Sequence, residues 1–131
     1  MENKYGFGVT LPLPLADARQ KTTEALAKEG FGIVMEIDMQ KTIQGKINQD
    51  VGPYTVLGAC NPKLAHEAIT LEPNMGLLLP CNVLLRGVTG GTEVSFLDPS
   101  AMFSLVKNPQ AAHLADDVKA RLKRVALALG Q

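Results

Sequence analysis

Asn82-Val-Leu-Leu-Arg-Gly-Val-Thr-Gly-Gly-Thr-Glu-Val-Ser-Phe-Leu97 is the stretch that decides the fold. It reads as two strands, Asn82–Val88 and Glu93–Leu97, joined by the turn Thr89-Gly-Gly-Thr92. Val94 and Phe96 fall on one side of the second strand, and Val83 and Leu85 share one parity in the first. Upstream, strands and helices alternate. At this hairpin the alternation stops, which argues against a doubly wound parallel sheet. The expectation is an α+β fold: a mixed or antiparallel sheet of about five strands, with helices packed on one face.

Working outward, the elements fall into place by period and punctuation. Tyr5, Phe7, Val9 and Leu11 alternate with Lys4, Gly6, Gly8 and Thr10, a strand ended by Pro12 and Pro14. A helix over Leu15–Glu29 follows, with Gly30 as its C-terminal cap. Phe31, Ile33, Met35, Ile37 and Met39 alternate with Gly32, Val34, Glu36, Asp38 and Gln40 and predict the clearest strand of the chain. Asp38 caps a short helix, Met39–Lys46, and Asn48–Pro53 is a turn-rich loop. Tyr54–Ala59 is the next strand. Asn61-Pro62 starts a helix that runs to about Leu71, with Leu64, Ala65, Ala68 and Ile69 as its apolar face. After the hairpin, Asp98-Pro99 starts a short helix through Val106. Pro109 breaks the chain. Leu114, Val118, Leu122, Val125 and Leu129 then mark the buried stripe of a last helix, Gln110–Leu129.

The totals bound the function. The chain has 131 residues, one domain's worth, with 13 Lys+Arg against 13 Asp+Glu. No basic excess exists to displace counterions from phosphates, so nucleic acid is not an expected partner. No apolar run approaches the 18 residues of a membrane span. Met1-Glu2 opens no basic leader, so a cytoplasmic location is expected. In a reducing compartment Cys60 and Cys81 are thiols rather than a structural disulfide.

Two segments carry unusual chemistry: Gly58-Ala-Cys-Asn-Pro-Lys-Leu-Ala-His66 and Leu77-Leu-Leu-Pro-Cys-Asn82. Cys60 lies at a strand end beside a helix N-terminus, where exposed N–H groups favour a thiolate. The bland alternative is a small buried thiol. Cys81 carries the same two readings. If the two strands are antiparallel neighbours, the cysteines share one edge of the sheet; if parallel, they lie at opposite edges. His66, on the following helix, could turn back toward Cys60. Cys60, Cys81 and His66 suit a soft metal, but a structural zinc needs a fourth ligand, and no cofactor is required. Glu36 is a further candidate acid, with a solvent face as its alternative. No catalytic signature for hydrolysis, phosphate binding or dinucleotide binding is present, which leans away from an enzyme.

Phe31-Gly-Ile-Val-Met-Glu-Ile-Asp38, Leu57-Gly-Ala-Cys-Asn-Pro62, Leu78-Leu-Pro-Cys-Asn82 and Asp98-Pro99 together resemble the domain-of-unknown-function family 302, over nearly the whole chain. The resemblance implies a small bacterial or archaeal α+β domain, a homodimer, and no established activity. Its motif falls on Cys60, Asn61, Pro62, Cys81 and Asn82, with Glu36 and Asp38 as weaker matches. Where members carry Leu-Gly before the loop, this chain has Ile47-Asn48. Two functions follow as expectations. One is a ligand-, metal- or redox-responsive binding module centred on Cys60 and Cys81. The other is a non-catalytic dimeric module in which those segments serve only turn geometry and core filling.

Overall fold

A computed structural model describes residues 4–130; the reading at Met1 and Glu2 lies outside the described residues. Five strands form one antiparallel sheet: β1 Gly6–Leu11, β2 Gly32–Asp38, β3 Tyr54–Cys60, β4 Cys81–Val88 and β5 Gly91–Leu97. Their order is β1-β5-β4-β3-β2. The hairpin β4–β5 is the centre of the sheet, which is why its reading decides the fold. Gly90, at φ 86°, makes the turn. Every pairing is antiparallel, which settles the choice left by sequence.

The helices are α1 Leu15–Lys28, α2 Met39–Ile47, α3 Pro62–Leu71, α4 Pro99–Phe103 and α5 Pro109–Leu129, with a 3₁₀ turn at Pro73–Leu78. One face of the sheet is covered. Phe7, Leu57, Ala59, Val83, Leu85, Val94 and Phe96 enter a single core with Leu26, Leu64 and Ala68. The predicted α5 stripe, Leu114, Val118, Leu122, Val125 and Leu129, is buried in that core throughout. Phe7 and Phe96 stack across the β1–β5 pair at 5.9 Å between ring centres.

Polar caps fix the helix starts. Asn61, Asp98 and Asn108 each accept a hydrogen bond from a first-turn N–H and are followed by Pro62, Pro99 and Pro109. Pro109 therefore opens the last helix rather than merely breaking the chain. The short helix after Asp98 stops at Phe103, not Val106. The loop at Ile47-Asn48 keeps a glycine-like geometry, because Asn48 takes the left-handed conformation at φ 56°.

The clearest predicted strand is the one the structure changes. β2 bulges between Ile33 and Met35, so Val34 has no partner on β3. One extra residue reverses the alternation beyond it. Phe31 is buried, but Met35 and Ile37 lie opposite Gly58 and Val56, on the face away from the helices, 49% and 39% exposed. Glu36 turns the other way, opposite Leu57, and its carboxylate pairs with Arg19 of α1. Ile69, expected on the apolar face of α3, is also largely exposed.

Candidate functional site

The β3–β4 register places Ala59 opposite Cys81, and Cys60 is the next residue along β3. The two cysteines, 21 positions apart in the chain, therefore lie at the same end of one strand pair, Cys81 sharing the covered face with Ala59 and Cys60 one residue out of that alternation. Antiparallel pairing is what brings them there, the first of the two arrangements that sequence left open. Both line a half-open cavity of about 30 Å³, together with Phe31, Leu64, Ala68, Phe103, Leu114 and Val118. That is room for about one water molecule. Both cysteines are free and half-buried. Burial, and then the proximity of Cys60, push the Cys81 thiol up to about 11.

Asn61 and Pro62 build the wall rather than the chemistry. The Asn61 side chain accepts from Leu64 N–H at 3.3 Å and donates to the Glu29 carbonyl at 3.3 Å. Its amide is thus spent on holding the start of α3 against the end of α1. There the chain closes α1 with Gly30 N–H donating to Ala27 and Phe31 N–H to Leu26. Gly30 sits at φ 87°, and a Cβ on it would lie 2.8 Å from the Asn61 amide nitrogen. Arg121 also donates to the Glu29 carbonyl at 3.1 Å, and Arg124 binds the Glu29 carboxylate at 2.9 Å. The Arg124 hydrogen bond holds Glu29 below its usual carboxylate range.

The remaining expected site residues go elsewhere. Asn82 lies opposite Gly58 on the uncovered sheet face and is exposed. Glu36 is an exposed partner of Arg19 and does not line the cavity. His66 does not turn back toward Cys60: it lines a separate cleft between α3 and α5, with His113, Glu67 and Asp116. Among the described residues, no three His, Cys, Asp or Glu side chains gather into a set that could hold a metal ion. The soft-metal reading of Cys60, Cys81 and His66 thus lacks its third ligand. The cavity's far wall, Phe103, Leu114 and Val118, carried no sequence signal as a site. These are ordinary helix-stripe residues that only the fold brings to the cysteines.

A two-layer α+β domain with two cysteines at one end of its β3–β4 strand pair is the class this geometry defines. The sequence pattern described as "Domain of unknown function DUF302" matches residues 7–129. The chain belongs to that family. Among solved structures, it is similar to one titled "Crystal structure of uncharacterized conserved protein DUF302 from Bacillus stearothermophilus". The TM-score is 0.86 and the identity 22%, over 93% of this chain and 95% of that one. At that identity the likeness establishes the fold. No curated protein matches. Among the described residues, no helix is long and apolar enough to cross a membrane.

Proposed function

We propose that the protein is a redox-responsive module whose working groups are Cys60 and Cys81. The observation that carries this is that both line one hollow at the same end of the β3–β4 pair. A cavity of about 30 Å³ has no room for a drug-sized ligand, which needs roughly ten times that volume. Of the ligand, metal and redox readings, the redox one therefore draws most support. The enclosed Cys81 is protonated at neutral pH. With Cys81 held protonated by burial, Cys60 is the thiol that reacts first. Oxidised protein should be lighter by two hydrogens in intact-mass measurement and return to the starting mass with a dithiol reductant. In reduced protein, iodoacetamide should alkylate Cys60 well before Cys81. If both thiols survive oxidation and resist alkylation until the chain unfolds, the reading fails.

A second reading rests on a different face. Exposed Met35 and Ile37 and part-buried Val56 and Leu84 lie on the side of the sheet that no helix covers, where Val56 and Leu84 also line a hollow of about 300 Å³. Five strands present a face of roughly 24 by 22 Å. Side-chain relief raises its accessible area toward the ~800 Å² per partner of a standard interface. We propose that a second copy of this chain covers it, giving a homodimer with the cysteine cavities on the outer layers. Sedimentation velocity at micromolar concentration should show a dimer, and Leu84→Glu a folded monomer. A wild-type monomer would exclude this arrangement.

A further inference from the structure

Resting on the dimer reading, we infer that α2 and the loop after it form the second half of the interface, an arm whose apolar stripe packs against the second copy. The distribution of exposed apolar groups is the first ground. Among the described residues, ten large hydrophobic side chains are exposed, and five of them, Val34, Met35, Ile37, Ile47 and Val51, fall within residues 34–51. Met35 and Ile37 belong to the uncovered sheet face, and Asp38, the last residue of β2, is also the N-cap of α2. The stripe therefore starts where the face ends, with Met39 roughly 7 Å along the chain from Ile37.

The helix itself is the second ground. Met39, Ile43 and Ile47 stand four residues apart and share one side of α2. Met39 and Ile43 are only part-buried, and Ile47 is 66% exposed. Among the described residues α2 is the one α-helix that buries no side chain, and none of its residues joins the core or packs against it. A helix of nine residues with Gly45 inside it is marginal on propensity alone, since that glycine costs about 1 kcal/mol relative to alanine. The Asp38 cap, accepting from Lys41 N–H at 3.0 Å, offsets about as much. A stripe that its own chain leaves open is stabilised by what covers it.

Area and charge select the occupant. The sheet face alone approaches the ~800 Å² per partner of a standard interface, and a nine-residue helix adds a footprint of about 13 by 10 Å. Lys41 and Lys46 are balanced by Asp38 and Asp50, and Arg86 on the sheet face by Glu93, so neither surface repels its twin. The same balance, on a helix without an aromatic residue, does not suit an anionic lipid surface. The bulge at Val34 spoils β2 as an edge for strand addition, so side chains rather than a shared sheet make the contact.

The test uses the full chain, with its dimer dissociation constant measured by sedimentation equilibrium. Ile47→Glu and Val51→Glu, both at positions exposed in the single chain, should each weaken the dimer by about tenfold or more, the effect of an unpaired charge in a covered apolar patch. Leu127→Glu, on α5 and 68% exposed, should change it by less than about twofold. In Leu84→Glu, which removes the sheet-face contact, the amides of α2 should exchange with solvent faster than in wild type, while those of α5 keep their protection. A wild-type dimer whose constant neither Ile47→Glu nor Val51→Glu moves beyond about twofold would overturn the inference and leave the sheet-face dimer standing. A wild-type monomer would overturn both, and binding of that monomer to phosphatidylserine vesicles through Ile47 would assign α2 to a lipid surface instead.

Discussion

Replacing Gly30 by Ala should disturb the fold and the thiol site together. At φ 87° an alanine occupies the left-handed region at a cost of about 1–2 kcal/mol. Its Cβ would also lie 2.8 Å from the Asn61 amide nitrogen, so that side chain must move. Losing the Asn61 cap costs about 1 kcal/mol more. The reduced freedom of the unfolded chain returns about 0.4–1 kcal/mol. The net loss is about 2 kcal/mol, a fall in Tm of about 5–8 °C for a chain of this length. Urea denaturation with wild type, Gly30→Ala, Asn61→Ala and the double variant measures it. If the clash acts through Asn61, the double variant should be less destabilised than the two single losses summed, by about 1 kcal/mol. The same shift frees the start of α3, so Cys60 should alkylate faster in Gly30→Ala. A loss below about 0.5 kcal/mol, or strict additivity, would refute the link between the α1 terminus and the α3 cap.

Other consequences are simpler to check. Thr22 is buried with no hydrogen-bond partner for its hydroxyl among the described residues, so Thr22→Val should stabilise by about 1 kcal/mol in urea denaturation. Glu36→Gln should cost less than about 1 kcal/mol, with the difference vanishing in high salt, and should leave thiol alkylation unchanged, because its pair with Arg19 is exposed. Burial works against the charge of Asp98, but the Lys119 contact at 3.1 Å and the Ser100 N–H outweigh it and hold Asp98 below its ordinary 3.8. The unfolded chain therefore binds that proton first as pH falls. The stability from Asp98 is present above pH 3.8, is lost as pH drops through the lower folded value, and should be absent from the acid limb of Asp98→Asn. Cys81 runs the opposite way: its folded value, about 11, exceeds the ordinary 9.0. The folded state keeps a proton the unfolded state releases, so stability should be lost between pH 9.0 and about 11, and Cys81→Ala should remove that alkaline limb.

Much of the architecture was legible because it is written in local chemistry. A turn of Thr89 and Gly90 between alternating residues specifies a hairpin wherever it stands, and Asn61-Pro62 starts a helix through its own side chain and ring. The stripe Leu114 to Leu129 needed only the helical period. β2 shows where local reading stops. Nothing in Phe31–Asp38 announces that Val34 will be left unpaired, because a bulge is a property of two strands in register. That single residue moved Met35 and Ile37 to the uncovered face and Glu36 to Arg19.

The site divides the same way. Sequence alone determined that Cys60 would stand at a strand end beside a capped helix, since Asn61 and Pro62 are its immediate neighbours. It could not determine whether Cys81 lies beside Cys60 or at the far edge of the sheet, because both strand directions satisfy the same alternation and the connection is long enough for either. Only the antiparallel register, which sets Ala59 against Cys81, brought the two cysteines to one end of the sheet. Only the packing of α4 and α5 brought Phe103, Leu114 and Val118 to the hollow they line and left His66 in a different cleft. Burial and proximity are made by contacts between distant segments, and those contacts exist only once the sheet and its helical layer have formed.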